Sequence, residues 1–386
     1  MKKFLCVIAC VLASVRVLWA GDAAAELFSL NFVSGSGALA AVDGARLDII
    51  YGRSSEVKGL SLGLVNVTDG LLKGAEFGFV NIEGSLLGYS SGFVNMTGDM
   101  QGCQAGFVNT AGSVTGVMSG FVNSVSGGVT GGLTGFVNSA KGVTGAASGF
   151  VNAIDGPVNG CSAGFVNISK EVNGASLGFV NLADGAVTGI NAGFVNAAKS
   201  VKGVQAGFVN VADNNDGLMT GFVNVSGGLD GVALGMVNII KGGFGKVSLY
   251  SSVETLYNVA FKSGKTVYGV IGMGYDNRNS VYSDKYVSTA GVGVRADLKP
   301  FFVDIEGLGN CLVNYGKIGP FFDWKKDIRL NSEFRILPGL KVIEGFEIYG
   351  GPSLKYYYTY DDIKNRRFSW DNYRLSAVAG VNINVF

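Results

Sequence analysis

Histidine is absent from all 386 residues. That removes Ser–His–Asp triads, imidazole general bases and histidine metal sites together. Proline is scarce, at 5 residues, so the 61 glycines do not belong to a collagen-like pattern. Charge is thin and balanced: 30 Lys and Arg stand against 29 Asp and Glu, a net +1. No basic footprint for nucleic acid exists, and nucleic acid is not an expected partner. Beyond the first twenty residues, no segment reaches the roughly 18 unbroken apolar residues that a membrane helix needs. The mature chain is therefore expected to be soluble, wrapped around something, or a β-barrel.

Cysteine is also sparse. Cys6 and Cys10 lie in the first twenty residues, leaving Cys103, Cys161 and Cys311. Cys103 and Cys161 hold the same place in a repeat, four repeats apart. At about 4.8 Å per neighbouring strand or coil they stand ~19 Å apart, too far for a disulfide. They read as small buried apolar residues.

The chain opens with Lys2 and Lys3, an apolar run from Phe4 to Trp19, and Ala20. A basic start, an apolar stretch and a small residue describe a secretory signal peptide over 1–20, cut after Ala20. Val7-Ile8-Ala9-Cys10 loosely resembles a lipoprotein cleavage box, but the apolar run continues past it. The protein is expected to be exported, to an outer membrane or a cell surface.

Abundant glycine with little proline disfavours helices, where glycine costs about 1 kcal/mol per position. Valine and phenylalanine favour strands. The expected class is all-β, and the order of its residues is dominated by one motif. Thirteen asparagines, from Asn66 to Asn238, recur at spacings of 14 or 15. Each is preceded by Val, by Phe, Leu or Met two before, and by Gly three and seven before. In the repeat ending at Asn210 these are Gly203, Gly207 and Phe208. Length changes fall after the Asn, where Gly, Asp, Asn and Lys collect, as in turns.

If alternation holds through the repeat, Val204, Ala206, Phe208 and Asn210 share one face, and Val201, Gly203, Gln205, Gly207, Val209 and Val211 share the other. Two architectures compete for the array, over residues 57–243. In an antiparallel meander each repeat is one strand of about 35 Å. In a parallel solenoid each repeat is one coil, with Asn and Phe stacked on their copies. The repeat is nearly mirror-symmetric about the position four before Asn, which the meander demands and the solenoid does not. The meander is favoured, continuing into an outer-membrane-type β-barrel. The alternative is a parallel β-solenoid followed by a C-terminal β domain. Gln104–Ala111 and Gln205–Ala212 resemble the repeat of curlin, a fibre subunit, which keeps that alternative open.

Two strands are expected within 21–56, near Leu27–Ser34 and Arg46–Tyr51, and roughly eight in 244–386. In that last third apolar and charged residues alternate, as in transmembrane barrels. Val292, Val294, Ala296 and Leu298 oppose Arg295 and Asp297; Phe301, Val303 and Ile305 oppose Asp304 and Glu306; Leu330, Phe334 and Ile336 oppose Arg329, Glu333 and Arg335. Those seven charged residues are the candidate lumen lining. Tyr356, Tyr357, Tyr358 and Tyr360 are candidate interfacial aromatics. The final strand, Tyr373 to Phe386, ends in Phe, but its apolar residues are out of phase with Phe386.

Signal, array and aromatic β tail together resemble a widespread group of uncharacterised bacterial surface-repeat proteins. The match covers about residues 57–243, with Val253–Gly274 resembling the segment that follows the array in that group. The resemblance implies a surface or outer-membrane location and carries over no activity and no binding residue.

Other motifs have plain explanations. Asn-x-Ser/Thr at Asn66, Asn95, Asn167 and Asn224 follows from the repeat. Asp276-Asn277-Arg278-Asn279 lacks the distal Glu of a calcium loop and reads as a hairpin tip. Gly291-x-Gly293 opens no helix. Lone carboxylates such as Glu76 do not make a catalytic site. The expectation is a non-enzyme without cofactors. Its function is a passive pore or a structural role as a barrel, with membrane lipid as partner. The alternative is a non-membrane surface solenoid acting in adhesion or binding, with a surface ligand of unknown kind.

Overall fold

Each repeat closes on itself at its two glycines. Seven residues before the Asn, from Gly59 to Gly203, the glycine has positive φ, +142° at Gly203 and +130° at Gly145. L side chains rarely adopt that conformation. A Cβ on Gly145 would also fall on the carbonyl oxygen of Gly131, one coil back. Three residues before the Asn, a Cβ on Gly149 would meet the Gly135 carbonyl and crowd the Asn138 amide at 2.7 Å. At these corners the chain turns, and the alternation of faces breaks.

The computed structural model describes residues 15–18, 25–33, 41–253, 255–277, 285–314, 328–358 and 372–386. Two compact units divide the chain, Met1–Gly193 and Phe194–Phe386. The first holds β1 (Val15–Leu18), β2 (Ala25–Val33), β3 (Ala41–Ser54), β4 (Val57–Phe77), β5 (Val80–Val125), β6 (Gly128–Ala140), β7 (Gly142–Ile154), β8 (Pro157–Ser169) and β9 (Glu171–Ala192). β1 pairs antiparallel with β2, and every later pairing in this unit is parallel. Identical residues stand opposite one another: Val143 on Val158, Gly145 on Gly160, Gly149 on Gly164, Asn152 on Asn167. β5 runs unbroken through several coils because the corners pair as well.

This is a parallel β-solenoid, and it overturns the meander. The mirror symmetry concerned only residue type, apolar against polar. What the repeat preserves is residue identity, and identity is useful only when like stacks on like. An Asn amide offers a donor and an acceptor that a second, equally oriented amide matches one strand spacing away. In a meander Asn would face the variable position eight before the next Asn.

The faces are corrected with it. In the coil ending at Asn152, Val143, Ala147, Asn152 and Ile154 point inward, while Phe150 points out at 45% exposure. Phe208 and Asn210, expected on one face, likewise part: Phe208 is exposed and Asn210 buried. Cys103 and Cys161 stand six before their Asn on the outer side. Cys103 is exposed and Cys161 half-buried, not core residues, and neither is in a disulfide.

The second unit begins with β10 (Val195–Asn215), β11 (Leu218–Leu229) and β12 (Val232–Ile240), again parallel and in like-on-like register. Eight antiparallel strands follow: β13 (Phe244–Ser252), β14 (Tyr257–Gly264), β15 (Val267–Asp276), β16 (Lys285–Leu298), β17 (Phe301–Asn314), β18 (Ile328–Ile343), β19 (Phe346–Tyr358) and β20 (Tyr373–Asn384). β20 pairs with β13 and closes a barrel to which the array contributes no strand. Alternation lapses after Asn384. The Phe386 ring accordingly lies beside outward-facing Phe261, at 6.4 Å between centroids, despite its phase in the sequence. Arg278 and Asn279 of the hairpin-tip motif, Tyr360 and most of 1–20 lie outside the described residues.

Candidate functional site: a barrel with its polarity inverted

Strand alternation sorts the barrel's side chains by charge. Among the described residues of β13–β20, every charged side chain stands at an inward-facing position. The outer wall carries Leu249, Val259, Ile271, Met273, Val292, Val294, Ile305, Phe334, Ile336, Ile348, Leu354 and Ile383, all more than a third exposed. At the end away from β12 the wall has an aromatic rim. There Tyr275 and Tyr286 pack at 5.2 Å, and Tyr356 contacts Tyr358 at 5.1 Å and Tyr373 at 5.0 Å.

Inside, ion pairs and hydrogen bonds link neighbouring strands, and three pairs join strands that are not neighbours. Arg295 grips Asp304 with two bonds of 2.7 Å and reaches Glu347 at 2.9 Å. Lys246 meets the same Glu347 at 2.6 Å, and Asn382 donates to it at 3.0 Å. Lys262 pairs with Glu306 at 2.6 Å, and Tyr268 donates its hydroxyl to Glu306 at 2.9 Å. Arg335 binds Glu333 at 2.8 Å, and Ser353 and Asn310 donate to Glu333 at 2.7 and 2.9 Å. Aromatic faces cover the cations: Arg295 lies 4.0 Å from the Phe302 ring centre, Lys262 4.7 Å from Tyr349, and Arg335 4.7 Å from Tyr250. Buried charges persist only when paired and hydrogen-bonded in this way.

Of the seven residues singled out in the sequence, Arg295, Asp304, Glu306, Glu333 and Arg335 lie buried in this network. Asp297 sits at the mouth, bound to Lys341 at 2.7 Å. Arg329 is exposed at the opposite end. Sequence reasoning missed Lys246, Lys262, Glu347 and Lys355. Their signal was present, since Lys246-x-Ser248-x-Tyr250 and Glu347-x-Tyr349 alternate as the noted segments do. They were hidden by low charge density in β13 and β14.

Among the described residues the space beside these pairs is small. A pocket lined by Tyr250, Asn258, Thr289, Asn310, Glu333 and Lys355 measures about 10 Å³, room for about one water. At the β12 end a vestibule of about 700 Å³ opens between Lys246, Lys265, Arg295, Asp297, Lys299 and Lys341. Among the described residues no group of His, Cys, Asp or Glu is placed to hold a metal ion.

The array carries two further features. The first is a phenylalanine ladder. From Phe79 to Phe179, rings in successive coils stack within 5.0 Å and 3° of parallel, as Phe194, Phe208 and Phe222 do in the second unit. Behind it runs the asparagine ladder: Asn138 donates to Asn152 at 2.8 Å and to the Ser148 carbonyl at 2.9 Å. The second is a charged knot inside the early coils. Arg46 bonds Glu76 at 3.0 Å and Ser61 at 2.8 Å, and pairs with Asp48 at 3.1 Å. Burial, with Glu83 adding a hydrogen bond and a like charge, pushes the Glu76 carboxyl up to about 9. A carboxyl raised in this way holds its proton far more readily than a free one, which lessens the buried charge beside Arg46.

Compared with known proteins, the chain matches no family model, no curated protein and no solved structure.

Proposed function

We propose that the protein is an outer-membrane anchor for a β-solenoid, with lipid as the partner of the barrel wall. The observation that carries this reading is the inverted polarity: charges inward, aliphatic and aromatic side chains outward, a tyrosine rim at one end. A solvated barrel would reverse that arrangement, whereas a bilayer rewards it. Between a pore and a structural role the filled interior favours the structural one. A path for solutes would have to part Lys262–Glu306 and Arg295–Glu347, buried pairs that join non-neighbouring strands.

The second reading, a surface repeat protein that binds or adheres through its array, draws on the exposed phenylalanine ladder. It also agrees with the resemblance to bacterial surface-repeat proteins. The two readings are compatible if the array binds while the barrel anchors.

Spin labels test the anchor. Single cysteines at Val292 and Ile336, in a chain lacking Cys103, Cys161 and Cys311, are expected to be reached by oxygen and shielded from a polar nickel reagent. Asp213→Cys, on the array, is expected to behave in the opposite way. Nickel access at both wall positions in reconstituted membranes overturns the proposal.

A further inference from the structure

The two ends of the barrel are unequal. At one end the strands are joined by two-residue connections: 265–266, 299–300 and 344–345. At the other the connections are 253–256, 277–284, 315–327 and 359–372. The array meets the first end. Residues 241–243 lead from β12 directly into β13 there. The Lys265 ammonium, in a short turn, donates to the Leu229 carbonyl at 2.9 Å. Asn238 bonds Ser263 through its backbone N–H at 2.8 Å and its side chain at 3.2 Å. Gly269, opposite Ser263 across the β14–β15 ladder, lies so close to Gly235 that a Cβ there would fall on the Gly235 carbonyl. The last coil is thus seated on the short-turn rim.

Outer-membrane barrels keep short turns on the periplasmic side and longer connections outside. From this, and resting on the membrane reading above, we infer that the solenoid stands on the periplasmic face of the outer membrane and not in the external medium. The chemistry of the wall agrees. The chain enters β13 and leaves β20 at the same rim, so an external array would have to cross the membrane ahead of the barrel. The barrel offers it no passage, because the buried ion pairs Lys262–Glu306 and Arg295–Glu347 cross its interior. Crossing the bilayer directly would drag charged turn residues such as Asp213 and Asp230 through hydrocarbon, which penalises each charge heavily. The connections at the far end need only the modest translocation that ordinary barrel loops undergo.

Cysteine labelling in intact cells of a double-membraned host decides the matter. Arg374→Cys marks the far end, Glu344→Cys a short turn and Asp213→Cys the array, each in the chain otherwise free of cysteine. A membrane-impermeant maleimide is expected to label Arg374→Cys in intact cells. The other two are expected to react only after the outer membrane is permeabilised, with at least a tenfold gain. Labelling of Asp213→Cys in intact cells, with the protein still held in the outer-membrane fraction after a carbonate wash, overturns the orientation and leaves the anchor standing. Release of the protein by that wash overturns the anchor reading itself, and this inference with it.

Discussion

Asn238 ends the asparagine ladder on Ser263: its side-chain amide donates to the Ser263 carbonyl at 3.2 Å, and its backbone N–H donates to the Ser263 hydroxyl at 2.8 Å. Every earlier Asn amide in this unit donates to the next coil's Asn, from Asn196 to Asn210, Asn210 to Asn224 and Asn224 to Asn238. The last has no further coil, and a barrel strand supplies the acceptor. A solenoid's open end exposes unpaired strand edges. Here β14 and β15 cover it.

Ser263→Ala removes one acceptor and leaves a buried N–H without its partner. The expected loss is on the order of 1–2 kcal/mol in the denaturant stability of the array. Asn238→Ala also strips Asn224 of its acceptor and is expected to cost more. Equal stability for Ser263→Ala and the parent chain would show that the barrel does not cap the array.

Glycines are expected to be irreplaceable at the corners, where φ is positive or a Cβ would meet the coil behind, and dispensable elsewhere. Gly145→Ala combines a φ of +130° with a clash on the Gly131 carbonyl. It is expected to lower stability by about 1–3 kcal/mol or more. Gly132→Ala, whose Cβ would meet nothing nearer than 3.9 Å, is expected to stay within about 0.5 kcal/mol of the parent. Thermal melts followed by far-UV circular dichroism separate the two.

Glu76 gives the array a pH dependence of definite sign. Its carboxyl holds a proton up to about 9 in the fold, against an ordinary value of 4.5. Between those values the native state binds the extra proton, so stability falls as pH rises through the window. Glu76→Gln keeps an acceptor for Arg46 and removes the titration. Its advantage over the parent is expected to grow on the order of 1 kcal/mol per pH unit, read from denaturant midpoints at pH 5, 7 and 8.5. Parallel pH profiles for the two chains would remove Glu76 as the cause.

Lys262 and Glu306 are expected to be strongly coupled inside the barrel. Glu306→Gln leaves a fully buried ammonium beside a neutral amide, with an expected cost of about 3–5 kcal/mol. Lys262→Met on top of Glu306→Gln is expected to recover a large part, because the amide still accepts from Tyr268 and no lone charge remains. The double-mutant cycle on refolded barrel measures the coupling, and additive effects would refute it.

The sequence showed some parts of this fold openly. The all-β class follows from glycine-rich, proline-poor composition. The barrel's charged interior was readable at Arg295, Asp304, Glu306, Glu333 and Arg335, because alternation there continues unbroken for a whole strand. The array deceived for the opposite reason. Gly203 and Gly207 interrupt alternation within one repeat, so counting faces by twos put Phe208 and Asn210 together when the fold sets one outside and the other inside. The better signal was the exact recurrence of Asn, which only stacking of like on like requires. Contacts such as Lys246–Glu347, between strands far apart in the chain, had no local signature to read.

The join between coils tolerates a change in length. Asn123 donates to Asn138 fifteen residues on, and Asn138 to Asn152 fourteen residues on, with the same 2.8 Å bond. The spare residue is absorbed in the turn that follows the Asn, and the turns still bond from coil to coil, as Lys141 N–H does to the Gly127 carbonyl at 2.9 Å. Recombination between two misaligned repeats of one gene would therefore delete or duplicate whole coils and still rejoin Val to Val and Asn to Asn. The array's extent becomes a quantity that inheritance can alter in steps of one coil, about 4.8 Å each, without redesigning either end.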